Sequence, residues 1–358
     1  MYRFGLLLMV CYVPGYLGAF IPTQWAVLSI LLPLGLWRSG VFSPSTLAGL
    51  AVLAWSAISL LWAPNPFDAG YGLWIACIWG LAFWFGSTVS DFRPLWQGMA
   101  VGMAVSSAVA IIQSFGYKPF EAATPIAGLF FNSTLLGCCA TLVIVALITQ
   151  RQWKYIPGCL PALWLAQSRG AFLVLGLTLL TRWIRLRWII LALAISGLTF
   201  LFFSNITAGN SDAVRLTIWG MAMRNLTLLG NGIGSFSTYY IYNGNMLYPE
   251  RAHNDYLQLW FELGIGATIM YFLYALCLRC RTSDHWPIFF AFSLMGLFYF
   301  PLWAPVPAFM ACMVAGAMLR DRHLDRLAFA HGRYSSLPGT PRRQSLFPRL
   351  GRKPVPTA

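Results

Sequence analysis

The chain has 358 residues, 58% of them hydrophobic, 16% aromatic and only 9% charged, with a formal net charge of +14. A soluble domain carries about 25% charged residues, so these few cannot cover a water-facing surface. A disordered chain, a secreted disulfide scaffold and an ordinary cytosolic enzyme are excluded, and a polytopic membrane protein fits.

A transmembrane helix needs about 20 mainly apolar residues, with a range of roughly 17–25. Apolar runs between charges and Pro/Gly breaks lie near 4–20, 24–42, 46–63, 70–88, 95–115, 134–150, 155–167, 171–184, 188–204, 254–278, 286–303 and 306–319. The runs at 155–167, 171–184 and 306–319 are short for a crossing. The first follows Arg3 as a signal peptide would, but further apolar runs follow at once and read as membrane anchors. The fold class is therefore all-α: a polytopic membrane protein with about 12 transmembrane helices and one large outer loop. Residues 1–319 form the multi-spanning domain, the loop covers about 205–252, and 320–358 form a basic, disordered tail.

Lys and Arg concentrate on the cytoplasmic side of membrane proteins. With the N-terminus inside, alternation puts Arg3, Arg38, Arg93, Arg151, Lys154, Arg182, Arg185, Arg187, Arg279, Arg281 and all cations of the tail in the cytoplasm. Only Lys118, Arg169, Arg215, Arg224 and Arg251 remain outside, facing Asp68, Glu121, Asp212, Glu250, Asp255 and Glu262. The basic excess is thus a topology signal and not a nucleic-acid footprint. Nearly all eight cysteines lie inside apolar runs and read as small packing residues; Cys277 and Cys280 form a lone CxxC with no second pair.

The long outer loop is rich in aromatics, and its stretch VRLTIWGMAMRN has helical periodicity. Of the four histidines, only His253 falls outside, in RAHNDYLQLWFELGIGA, at the start of the tenth apolar run. Asp255 and Gln258 have the spacing of a capping box, which sets His253 just before a helix N-terminus. An imidazole there suits proton transfer near neutral pH; it would equally suit an interfacial side chain that only hydrogen-bonds the loop. Arg215 and Arg251 belong to the same loop and Arg169 to the turn AQSRGAF. They read either as ion pairs, Arg215 with Asp212 and Arg251 with Glu250, or as a guanidinium cluster for phosphate. The glycines of LLGNGIGSF are not a dinucleotide fingerprint and read as a tight turn; Gly264 and Gly266 read as sites of close helix packing. No carboxylate cluster, P-loop, HExxH or GxSxG occurs, so neither a metal nor a cofactor is expected. Broken helices in matching halves and polar groups at the midplane, which a transporter should have, are not visible.

His253-Asn254, nine residues, then Gly264-Ile265-Gly266 resembles the HN-x9-G signature of the O-antigen ligase and polymerase superfamily of bacterial inner-membrane glycosyltransferases. Arg215 followed by Trp219 and GNGIGSF is similar to the approach to that signature, and SRGAF and GLFFNSTLLG to two further blocks. The resemblance implies a GT-C-like membrane enzyme with both termini cytoplasmic and a periplasmic active site. The donor it implies is a glycan on undecaprenyl diphosphate; the acceptor is a lipid A–core or another glycan. It implies no metal, with Arg169 and Arg215, joined by Arg251, holding the diphosphate and inversion at the anomeric carbon. His253 would be general base or phosphate ligand, and the helix starting near Asn254 would add its positive end. A ligase is favoured over a polymerase, and both over a protein O-oligosaccharyltransferase; a multi-helix transporter is the alternative class.

Overall fold

The computed structural model describes residues 1–10, 53–119, 124–130, 132–181, 210–242, 251–277 and 283–330. The apolar runs 24–42 and 188–204, the loop stretches 205–209 and 243–250 and the tail from 331 lie outside the described residues. The chain is all-α: among the described residues there is no strand. A short apolar helix, Leu53–Trp62, precedes the main helices. The elements are α1 (Tyr2–Val10), α2 (Pro66–Thr88), α3 (Arg93–Ser114), α4 (Ser133–Thr149), α5 (Ile156–Leu165), α6 (Arg169–Leu180), α7 (Asn210–Arg224), α8 (Ser235–Tyr242), α9 (Asp255–Cys277), α10 (Trp286–Met295) and α11 (Pro305–Ala330).

Among the described residues, α2 and α3 are the two helices long and apolar enough to cross a membrane by length and composition. The count of twelve is not reached there, for identifiable reasons. The helices α5 and α10 have 10 residues each, a rise of about 15 Å against a hydrocarbon core of about 30 Å. The run 286–303 is no single helix. It stops as a helix at Met295, turns, and makes one 3-10 turn at Pro301–Trp303 before Pro305 opens α11. Pro fits the first turn of a helix but not its interior. At its other end, α11 continues to Ala330, into the stretch expected to be tail.

Small residues let the helices close. A Cβ on Gly86 would fall onto the Met313 carbonyl, and one on Gly316 onto the Phe83 carbonyl, so α2 and α11 meet backbone to backbone. Gly98 does the same for α3 against α1, where its Cβ would fall onto the Tyr2 carbonyl, and Gly102 makes room for the Met9 side chain. Helix α4 is apolar on nearly every side and buried accordingly, touched by α3, α5, α6, α10 and α11. The hairpin α10–α11 fixes the two ends of the molecule. At one end the His285 ring stands 4.7 Å from Phe92, the Arg320 guanidinium lies 6.0 Å from that same ring, and Ser283 Oγ donates to Asp321 at 3.1 Å. At the other end the turn 296–304 is rooted by Trp79, whose Nε1 donates to the Leu302 carbonyl at 3.0 Å and whose ring meets Trp303 edge-on at 5.2 Å.

The run 254–278 departs furthest from a single crossing. Helix α9 breaks at Gly264, which holds φ 85° and ψ 170°. The chain then doubles back. Thr268 Oγ1 donates to the Tyr256 carbonyl at 3.5 Å, and the Tyr256 and Tyr271 rings are 5.5 Å apart. A straight helix would separate such residues by roughly 20 Å. The backbone groups freed by the break are satisfied from elsewhere. The amides of Asn231 and Gly232 donate to the Phe261 and Glu262 carbonyls at 2.7 and 3.0 Å, and Trp55 Nε1 donates to the Leu263 carbonyl at 2.9 Å. Ile265 N donates in turn to the Leu228 carbonyl at 3.2 Å. Backbone groups buried away from water survive only with such partners. Gly264 thus makes a close approach, as its sequence context suggests, but as a reversal; at Gly266, no atom among the described residues lies within 4 Å of a built Cβ.

Candidate active site

His253 is one of three described non-glycine residues with positive φ, at 53°. This left-handed conformation costs roughly 1–2 kcal/mol for an L-residue, so its neighbours must hold it. Ala252 is pinned through both backbone groups. Its amide donates to Gln258 Oε1 at 3.0 Å, and its carbonyl accepts from Trp219 Nε1 at 2.8 Å. Asn254 is pinned as well, its Nδ2 donating to the Leu297 carbonyl at 3.2 Å while its Oδ1 accepts from Leu257 N at 3.0 Å. Asn254 is therefore the cap of α9. The capping box expected between Asp255 and Gln258 is not formed: Asp255 begins the helix, and Gln258 reaches back to Ala252. The start of α9 is also sewn to the 296–304 turn, since Asp255 N donates to the Gly296 carbonyl at 2.8 Å and Leu302 N donates to Asp255 Oδ2 at 2.9 Å.

The imidazole stands edge-on to Phe300, with centroids 5.0 Å apart. Its Nδ1 is buried and has no hydrogen-bond partner among the described residues. Burial first, and then the Arg215 charge, lower its pKa from 6.5 to about 4. At neutral pH the ring is therefore neutral, the state that a proton acceptor requires.

Arg215 lies on α7 one turn before Trp219, so residues on one helical face supply both a cation and the clamp on Ala252. The Arg215 guanidinium sits over the Tyr299 ring at 5.7 Å. Tyr299 is buried, and its hydroxyl shares a 2.8 Å hydrogen bond with Ser168 Oγ. Ser168 caps α6, whose first residue is Arg169. A Cβ on Gly170 would come within 2.5 Å of the Tyr299 hydroxyl, so only glycine lets this helix end approach so closely. Arg251 sits over the Trp303 ring at 4.9 Å, within electrostatic reach of the Asp255 and Glu262 carboxyls. The side chains of Asp212 and Glu250, the expected ion-pair partners, lie outside the described residues.

The segments carrying Arg169, Arg215, Arg251, His253 and Asn254 thus meet around one turn, 296–304. Sequence reasoning missed that turn and its Tyr299, Phe300 and Trp303, because LMGLFYFPLW reads as one apolar run. Gly296 and Pro301 were the available signal, since Gly and Pro punctuate regular structure. The three glycines of LLGNGIGSF all have positive φ, at 80°, 96° and 74°. Among the described residues, no three His, Cys, Asp or Glu side chains gather in a way that could hold a metal ion. No family model matches the chain, and no curated protein matches it.

Proposed function

We propose that this chain is a glycosyltransferase of the bacterial inner membrane that moves a glycan from undecaprenyl diphosphate to a lipid A–core or other glycan acceptor at the periplasmic face. The observation that carries this reading is the meeting of three arginine-bearing segments and a neutral histidine at one turn. Arg169, Arg215 and Arg251 are suited to a diphosphate, whose charge grows as it leaves. Arg215 and Arg251 rest on aromatic faces, a placement compatible with in-plane N–H donation to an anion. The acceptor hydroxyl attacks the anomeric carbon, the bond from that carbon to the phosphate oxygen breaks, and the configuration inverts. His253 takes the hydroxyl proton as base; a phosphate-ligand role is its alternative. Asn254 orders the helix end that faces this chemistry.

About twelve helices, a periplasmic loop over 205–252 and cytoplasmic termini belong to the same reading, supported by the Lys/Arg asymmetry. The ligase is preferred to the polymerase, and both to a protein O-oligosaccharyltransferase. A transporter is the second reading, and the break in α9 at Gly264 favours it, because broken helices carry transport sites. Complementation of a host deletion separates the two. His253→Ala and Arg215→Ala should each abolish surface glycan transfer while the protein still inserts. Loss of core-linked long chains in the deletion, with accumulated lipid-linked polymer, marks a ligase. Full activity of both variants, or solute transport without glycan transfer, would overturn the assignment.

A further inference from the structure

Behind His253 lies a buried polar chain that the chemistry above leaves unused. Glu262 and Gln258 are fully buried, one turn apart on the first arm of α9. Gln258 Nε2 donates to Glu262 Oε1 at 2.9 Å, while Gln258 Oε1 accepts from Ala252 N at 3.0 Å. Glu262 Oε2 accepts from Gly234 N at 2.8 Å, and the Phe236 amide also bonds the carboxylate. Every partner of Glu262 donates to it, and the Arg251 charge lies within electrostatic reach. One end of this chain fixes the residue before the strained His253. The other end holds the glycine-rich turn, where a Cβ on Gly230 would fall onto the Glu262 carbonyl and one on Gly234 onto the Asp68 carbonyl.

We propose that Glu262 is a positioning residue for His253, acting through Gln258 and the Ala252 amide, and that the same carboxylate seats the glycine-rich turn, so that outer loop and imidazole are set together. A positive φ at a non-glycine residue persists only where its surroundings over-determine it, and the Ala252 amide is a hydrogen-bonded restraint just before His253 that reaches back into α9. The inference rests on the glycosyltransferase reading for the chemistry that His253 serves; the relay itself is geometry.

The direction of the hydrogen bonds supplies the test. Glu262→Gln turns an NH2 group toward the NH2 of Gln258, and Gln258→Glu sets two carboxylates face to face. The double variant Gln258→Glu with Glu262→Gln restores the chain with only its central bond reversed: the side chain at 262 now donates to the one at 258, and the Ala252 and Gly234 amides donate as before. Three quantities are read on the purified full-length protein: exchange of the Ala252 amide, the His253 titration midpoint by NMR of labelled histidine, and kcat against KM with a lipid-linked glycan donor. The His253 signal is assigned by its absence in His253→Gln. Both single variants should speed the exchange, raise the midpoint from about 4 toward 6.5, and lower kcat by about 10- to 100-fold with little change in KM. The double variant should recover all three. Unchanged exchange and midpoint in Glu262→Gln, or no recovery in the double variant, would overturn the proposal. Absence of transferase activity in the unmodified protein would instead sink the functional reading, while exchange and midpoint still judge the relay.

Discussion

Tyr299 joins two cationic segments that lie far apart in the chain. Its ring carries Arg215 and its hydroxyl holds the cap of the Arg169 helix. Tyr299→Phe keeps the ring and should cost about 1 kcal/mol of stability, with a several-fold loss in transfer rate. Tyr299→Ala removes the cation–π support as well and should cost roughly another tenfold. Initial rates on purified protein distinguish the two; equal rates for both variants would show that the ring does not place Arg215. His253 sets a pH dependence of its own. Its pKa is about 4 in the fold and near 6.5 unfolded, so between these values the unfolded chain binds more protons. The contribution of the neutral ring is complete above about pH 6.5 and is lost as the pH falls toward 4, up to about 3 kcal/mol. Unfolding in detergent between pH 4 and 7 should show this slope in the native protein and a flatter one in His253→Gln. Sequence marked His253 and the three arginines because polar groups are rare in so apolar a chain. It could not mark Tyr299, one of 15 tyrosines, whose role depends on what the chain brings beneath Arg215.

Among the elements, α9 shows how a strong pattern misleads. Its residues are apolar from Tyr256 onward with few interruptions, and hydropathy alone makes them one crossing. The reversal depends on a single residue able to hold φ 85° and on partners from two distant segments: Trp55 and Asn231–Gly232 donate to α9 carbonyls, and the Leu228 carbonyl accepts from Ile265 N. Gly264→Ala adds the left-handed penalty of roughly 1–2 kcal/mol, and its Cβ also falls onto the Leu228 carbonyl. It should lower the thermal midpoint and the folded yield sharply. Gly266→Ala, whose Cβ meets no atom of the described residues within 4 Å, should leave both unchanged. Similar losses in the two variants would mean that the break is not held by Gly264. The cap at Asn254 was half legible: the helix start fell in the right place, but the capping side chain was one residue earlier, since both Asn and Asp are good caps.

Across the whole molecule, α2 and α11 separate two ends. Phe92, His285 and Arg320 gather at one; His253, Arg215 and Tyr299 gather at the other. If the Lys/Arg asymmetry reads the topology correctly, the Arg320 end is cytoplasmic. A fluorescent protein fused after Ala358 should then fold and glow, and a periplasmic phosphatase fused there should stay inactive. The reverse pattern would invert the orientation and put His253 on the wrong face for a periplasmic donor. Composition by itself determined the all-helical class, the shortage of charge, and the few cations and the single histidine outside the basic segments, because these follow from counting side chains against solvent. Only the tertiary structure decided that α9 reverses, that the 286–303 run ends in a turn, and that this turn gathers the arginines around His253. Those outcomes depend on backbone carbonyls finding donors hundreds of residues away, and no local pattern of hydropathy records such a partner.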